Sequence, residues 1–429
     1  MTAEVTAPPR PRGALGLMFD PVFGALFWGK MFAVVAVWTH GIVAAIVMYD
    51  ATGSALMVGM VGVVQFGPQL ILSPTSGKWA DVGNPARQIL LGRVLCVAGS
   101  GFTAVWLFGD SELAGMSAAV PVLIGSLLVG FGFVVGGPAM QSIVPNLIRD
   151  GELSTAMALN SMPMTIGRVV GPVSGAYLAA HLGAGAGFAV SAGLHFVFAI
   201  FLVAVCFPSP PQRHADTDYR VRTALRYVWR DRPLLLALLA VTTVGIASDP
   251  SITLTPSLAD ELGGGTGLVG TLSATFGVGA GVGMMALAMM RGRLASAWVS
   301  WIGLAGLTVG SSVLAVGATP AVALAGFAVA GLGFGWAMTG LATVVQERAP
   351  EVLRGRIMAL WLVGFVGSRP ISAALLGGTA DAVGVHVAFA VAAALCAAVA
   401  VVCLPARLTG PSPDHISIPL SHQRSRAPR

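Results

Sequence analysis

The sequence predicts an all-α membrane protein in which twelve transmembrane helices form two pseudo-symmetric six-helix bundles. Three observations carry that prediction. Of the 429 residues, 55% are hydrophobic and 10% charged, with a mean hydropathy of +0.83. A soluble chain carries about 25% charged residues, so this one has too few to cover a water-facing surface. Breaking the chain at Gly, Pro and charge clusters leaves twelve apolar segments, each close to the roughly 17–25 residues that a span needs. Finally, the loop charges alternate. Lys and Arg fall in the N-tail, in the loops after spans 2, 4, 6, 8 and 10, and in the C-tail, while the intervening loops hold only acids such as Asp50, Asp110, Glu112, Asp260, Glu261 and Asp381. The positive-inside rule then puts both termini in the cytoplasm of a multi-pass protein of the cell (inner or plasma) membrane.

The elements follow in order. Residues 1–22 are a tail bearing Pro and Arg, without the apolar core of a signal peptide. The first bundle, 23–207, contains spans at about 23–49, 54–76, 88–109, 117–145, 155–180 and 184–207. A polar segment, 208–233, separates it from the second bundle, 234–404, with spans at about 234–259, 266–290, 296–317, 320–345, 356–380 and 384–404. Residues 405–429 form the C-tail. In the central segment, "YRVRTALRYVWRDRP" sets Val221, Leu225, Val228 and Trp229 on one helical face and its arginines largely elsewhere, the pattern of a basic helix lying on a membrane surface.

The halves repeat one another. "AMAL" (156–159) opens span 5 and "IMAL" (357–360) opens span 11, and the same offset carries Arg168 onto Arg369. "YDATG" and "ADELG" close spans 1 and 7, which aligns His40 with Pro250, next to Asp249. Such repeats point to alternating access around a site near the bilayer midplane.

Charge inside the membrane marks that site. Arg168 lies about a dozen residues into span 5, roughly 18–20 Å along a helix rising 1.5 Å per residue, and Arg369 is similarly deep in span 11. Asp249 is the acid placed deepest, and His40 sits mid-span. A charge at that depth costs several kcal/mol unless it is paired or faces water. Two readings of Asp249 stand at this stage: a titratable coupling carboxylate, or a permanent tie to an arginine. The arginines suit an anionic substrate, and His40 suits a proton relay. Gln65 and Gln69 are candidates to line the cavity, His195 reads as structural, and Lys30 is expected to snorkel to the headgroups. No nucleophile–base pair, metal-ligand spacing or phosphate loop is present in the sequence. The chain is therefore read as having no enzymatic activity, cofactor, metal or nucleic-acid partner, and as working as a monomer.

The loop after span 2, "GKWADVGNPAR" (77–87), has the spacing G-x-x-x-D-x-G-x-x-x-R. It resembles the signature loop of the major facilitator superfamily, and the likeness runs over about residues 15–405. Within that superfamily "YDATGSALMVGMVG", "GRVVGPVSGAYL", "QERAPEVLRGRIMALW" and "ALRYVWRDRPLLLALL" are similar to the enterobactin-exporter-like branch, which handles siderophores and drugs. The resemblance implies that Asp81 faces the N-terminus of span 11, near Arg354 and Arg356, where a helix dipole stabilises an acid. Gly77 and Gly83 would serve close approach and a tight turn, with Arg87 closing the motif. The sequence departs from the signature at Val82 and Asn84-Pro85, and the matching loop "MMRGRLA" has no acid. Gly167, Gly171, Pro172 and Gly175 resemble the superfamily's antiporter motif, expected to pack closely at a moving interface. Span 4 lacks the Arg carried by many proton antiporters of the superfamily. The implied function is proton-coupled export of a small amphiphilic or anionic molecule. Import or flipping of a metabolite or lipid, and a non-transporting scaffold or sensor, are the alternatives.

Overall fold

The computed structural model describes residues 12–109, 117–149, 151–205, 207, 221–290, 293–350 and 353–410. Six long helices form the first half: α1 (Phe23–Thr52), α2 (Ala55–Val82), α3 (Pro85–Phe108), α4 (Ala119–Ser142), α5 (Leu153–Leu182) and α6 (Ala184–Ala204). The second half holds α7 (Arg232–Ser248), α8 (Gly265–Met290), α9 (Ser296–Val316), α10 (Pro320–Arg348), α11 (Arg354–Ser372) and α12 (Val385–Val402). Among the described residues eleven helices are long and apolar enough to cross a membrane. The remaining long helix, α5, has 30 residues but is diluted by Asn160, Ser161, Thr165 and Arg168. A short helix, Val221–Arg230, precedes α7. Its buried side is Ala224 and Val228, while Leu225 and Trp229 are exposed.

Local chemistry sets the helix ends. The Ser54 hydroxyl accepts from the Met57 N–H, Asn84 from Arg87, Asp231 from Leu234, and Thr319 from Val322, each satisfying an orphan donor of a first turn. Gly53, at φ 63°, closes α1 in the left-handed region.

Two helices of the second half are irregular, both beside predicted site residues. After α7 the chain continues through the short helices Pro250–Thr253 and Thr255–Glu261; Pro250 and Pro256 lack the N–H that an unbroken helix requires. Asp249 occupies the first break. In α11, Arg369 is followed by Pro370, and residues Ala373–Gly377 make a π-helical turn, a feature often found at functional sites.

Packing follows the repeat. In the first half α1 lies against α5 and α6, while α4 bridges α2 and α3; in the second half α7 lies against α11, and α10 packs on α8 and α9. The halves meet along two antiparallel seams, α5 on α8 and α2 on α11. Small residues set both spacings: a Cβ on Gly277 would come 2.6 Å from the Arg168 carbonyl oxygen, and one on Gly377 would come 2.8 Å from Leu56 Cα.

The glycine motif of α5 does not lie on this seam. Added Cβ atoms at Gly167, Gly171 and Gly175 would collide with Val34, Trp38 and Ile42 of α1, so the motif seats α5 on α1 inside its own half. Across the boundary between the halves it is Thr165, Arg168 and Ala176 that face Gly281, Gly277 and Gly270 of α8. Pro172 contributes its carbonyl to the same seam, 3.4 Å from where a Cβ on Gly270 would stand.

Candidate functional site

Three of the predicted residues come together where the halves meet. Asp249 is buried and accepts a hydrogen bond from the Thr253 hydroxyl at 2.8 Å. Arg369 Nη1 lies 3.4 Å from its Oδ1. The Arg369 guanidinium also stacks on Phe66 of α2, 4.2 Å from the ring centroid, and Gly62 of α2 gives it room, with Nη1 only 3.8 Å from where a Cβ would stand. Thus Arg369, from the second half, reaches onto the first.

Arg168 does the reverse. Half-buried on α5, its guanidinium carbon lies 5.0 Å from the Trp38 ring in its own half, 4.9 Å from Phe276 and 4.1 Å from Phe334 in the other. Among the described residues it makes no ion pair. It is within electrostatic reach of both Arg369 and Asp249. Cation–π contacts contribute roughly 0.5–2 kcal/mol each, enough to hold the side chain while leaving its donors for another group. Phe334 stands 5.5 Å from Phe276 and 6.1 Å from Phe365, and Phe365 stacks on Trp361. Two guanidiniums and one carboxylate sum to one positive charge at the foot of an aromatic ladder. That combination sets charged hydrogen-bond donors beside apolar ring faces.

His40 and Gln65 do not join this cluster. His40 is fully buried inside the first half, its two ring nitrogens 3.0 Å from Ser100 Oγ and 3.1 Å from Ser126 Oγ. Gln65 is buried too, and its backbone packs on Gly130 of α4. Lys30 departs from the expected snorkelling: it is buried and donates to the carbonyl and side-chain oxygens of Asn160, both at 2.7 Å.

In the signature loop, Gly77 and Asp81 fall in the last turns of α2 and Arg354 opens α11, but the side chains of Asp81 and Arg354 lie outside the described residues. Arg356 is half-buried in the first turn of α11. Gly83 has φ −93°, so its turn does not need the left-handed region. Instead, a Cβ there would stand 2.7 Å from Trp79 Cδ1. Arg87 is exposed, and its N–H bonds to Asn84 at 3.1 Å.

At the end far from the tails, the halves are latched. Asp381, beyond the π-turn of α11, accepts from Ser54 Oγ at 2.6 Å and from the N–H groups of Ala55 and Leu56 at 2.7 and 3.1 Å. Tyr49 of α1 donates to Asp260 at 3.4 Å. In the sequence Asp381 is a topology marker and Asp260 belongs to the repeated "ADELG" as well. Sequence reading missed the aromatic partners Phe66, Phe276 and Phe334, whose residue type alone does not separate a stacking face from core.

Comparison with known proteins agrees with this architecture. A family model described as transmembrane secretion effector matches residues 13–424. The enterobactin exporter EntS of Salmonella typhimurium (strain LT2) is 30% identical over 371 residues, covering 84% of this chain and 86% of that protein. The enterobactin exporter EntS of Escherichia coli (strain HS) is 27% identical over 368 residues, with the same shares. A D-xylose–proton symporter of known structure superposes with a TM-score of 0.73 at 14% identity, over 92% of this chain and all of that one. The chain is thus a membrane transport protein, not an enzyme, and it belongs to the transmembrane secretion effector family of the major facilitator superfamily, similar to enterobactin exporters.

Proposed function

We propose that this chain is a secondary exporter of small amphiphilic anions, working by alternating access and driven by protons through Asp249. The observation that carries the reading is Arg168: a guanidinium on the seam, held on aromatic faces from both halves and, among the described residues, without an ion-pair partner. The charge bias of the loops orients the tail end toward the cytoplasm. The latched end is then the outer one, and the site receives its cargo from inside.

In this mechanism the substrate anion engages Arg168 while its apolar part lies along Phe276, Phe334 and Phe365. The anion crosses outward with Asp249 ionised and paired to Arg369: the halves rock, the seam contacts at Gly277 and Gly377 separate, and Asp381 leaves the start of α2. Once the anion has left, a proton taken up by Asp249 from the outer side dissolves the pair with Arg369, weakens the hold between α7 and α11, and is carried inward as the empty carrier returns. On the cytoplasmic side, Asp81 takes the corresponding place at the start of α11. The two sequence relatives named above are exporters, which favours outward transport, and the aromatic ladder favours a ring-bearing substrate such as a catecholate.

The test is uptake of an aromatic anion into inverted vesicles under an imposed pH gradient. Asp249→Asn should abolish gradient-driven uptake while leaving equilibrium binding in place. Undiminished uptake in that variant would remove Asp249 from the coupling step.

A further inference from the structure

A second buried cation lies away from the transport site, and the mechanism above does not use it. Arg93, two turns into α3, is fully buried in the first half. Its guanidinium carbon lies 5.7 Å from the Phe133 ring centroid and 5.8 Å from that of Phe198. Among the described residues its one polar contact is with His195 on α6, 3.4 Å from Nη1 to the ring Nδ1. Because Nη1 can only donate, Nδ1 accepts, and the His195 proton sits on Nε2. Among the described residues, Nε2 of His195, and Nε and Nη2 of Arg93, are buried without a hydrogen-bond partner.

The free atoms form a pattern. Nε and Nη2 make up the side edge of the guanidinium, two parallel N–H groups that bind an anion in a bidentate manner. Among the described residues no acid lies within ion-pair distance of that edge. A buried charge left in this condition costs several kcal/mol, and two aromatic faces offset only part of it. The neighbouring helix also leaves space there: Gly136 of α4 has no side chain, and a Cβ on it would stand 3.4 Å from Arg93 Nη2. The nearby polar groups are already engaged, since His40 is matched to Ser100 and Ser126, and Ser191 to Ser100 and the Ala36 carbonyl.

We propose that the first half encloses a structural site for a small inorganic monoanion of chloride size. It lies beside Gly136 and is held by the Nε–Nη2 edge of Arg93, which His195 orients. The anion neutralises the guanidinium and satisfies both donors, which a water molecule cannot do because it leaves the charge uncompensated. The site stabilises the bundle on which Arg168 and the α5–α8 seam are mounted.

The experiment measures the apparent unfolding temperature of the purified full chain in sodium chloride, sodium bromide or sodium gluconate at equal ionic strength. A ligand that binds only the folded state raises that temperature in a saturable way. A shift of a few °C is expected with chloride and bromide over gluconate. Gly136→Ala should remove this shift while the chain still folds, because its Cβ would meet no backbone atom closer than Ile89 Cα and O at 3.6 Å, and its tightest contact, Arg93 Nη2 at 3.4 Å, is the end of a flexible side chain. Crystals grown in bromide should show an anomalous peak beside Arg93 Nη2. Equal unfolding temperatures in the three salts, or a halide shift that persists in both Gly136→Ala and Arg93→Gln, would overturn the site. Loss of folding in Arg93→Gln leaves Gly136→Ala and the anomalous peak to decide.

Discussion

Asp381, in the short helix Gly378–Val383 that follows the π-turn, caps the first turn of α2 together with Ser54. Its carboxylate takes the hydroxyl of Ser54 and the N–H groups of Ala55 and Leu56 across the boundary between the halves. An acid at a helix N-terminus meets both unpaired donors and the positive end of the dipole. Removing such a cap costs about 0.5–2 kcal/mol, a factor of roughly 5–30 in a two-state ratio at the upper end. Asp381→Ala should therefore shift the population away from the far-end-closed state. Distances between spin labels at the exposed Thr52 and Val383 should show a larger separated fraction in the variant. An unchanged distance distribution would show that closure does not rest on this carboxylate.

The seam between α5 and α8 yields a sharper comparison. A Cβ at Gly277 would stand 2.6 Å from the Arg168 carbonyl oxygen, a backbone atom that cannot move aside, whereas one at Gly281 would meet only Thr165 Cγ2 at 3.7 Å. Gly277→Ala must therefore push the halves apart, at a cost on the order of 1–3 kcal/mol for overpacking. Gly281→Ala lies on the same helix and changes the same amount of volume. Transport should fall steeply in the first variant and stay near native in the second. Comparable transport in the two would mean that the seam does not close this tightly during the cycle.

Much of this was legible in the sequence because it depends on one-dimensional patterns. Helix positions follow from runs of apolar residues, and the pairing of Arg168 with Arg369 followed from a fixed offset between the halves. The contact between Arg369 and Asp249 was one of two readings already open for that acid. What stayed hidden depends on azimuth, the direction a side chain takes around its helix. Arg168 and Gly171 are three residues apart on α5, yet one faces α8 and the other α1. His40 has the composition of a relay residue but points at two serines inside its own half. Arg93 is inside span 3 by position, and the sign that could have flagged it was its depth, two turns beyond the helix start at Pro85. Phe66 and Phe334 gave no such sign.

Arg168 should govern affinity and Arg369 coupling. Arg168→Gln removes the cation that lacks an acid, leaving Asp249 and Arg369 paired as they are. Charge-assisted hydrogen bonds contribute about 1.5–3 kcal/mol, so binding of an aromatic carboxylate should weaken by roughly 10–100-fold with proton dependence retained. Arg369→Gln strips Asp249 of its partner and should disturb proton dependence first. Binding titrations at two pH values, run on both variants, separate these effects. Equal loss of affinity with unaltered pH dependence in both would dissolve the division of roles.

The start of α5 is held by an acid whose titration can be followed. Glu152 is buried and receives Arg12 Nε at 2.9 Å, Arg12 Nη2 at 2.7 Å and the Arg12 and Arg149 backbone N–H groups at 2.6 and 2.9 Å. The Arg12 side-chain hydrogen bonds dominate, opposed by burial and aided by the backbone donors, and together they hold the carboxyl down to about 2 from its ordinary value of 4.5. A carboxylate depressed in the folded state gives stability that is complete above its unfolded value and disappears as pH falls through the folded one. The contribution should therefore be full above about pH 4.5 and fade from there to about pH 2. Glu152→Gln should be less stable than the native chain at pH 7, and the gap between them should narrow as pH drops through that window. Unfolding temperatures of the two proteins, taken in steps from pH 7 to pH 3, measure the narrowing. A gap that stays constant across the range would mean that Glu152 holds Arg12 by shape and not by charge.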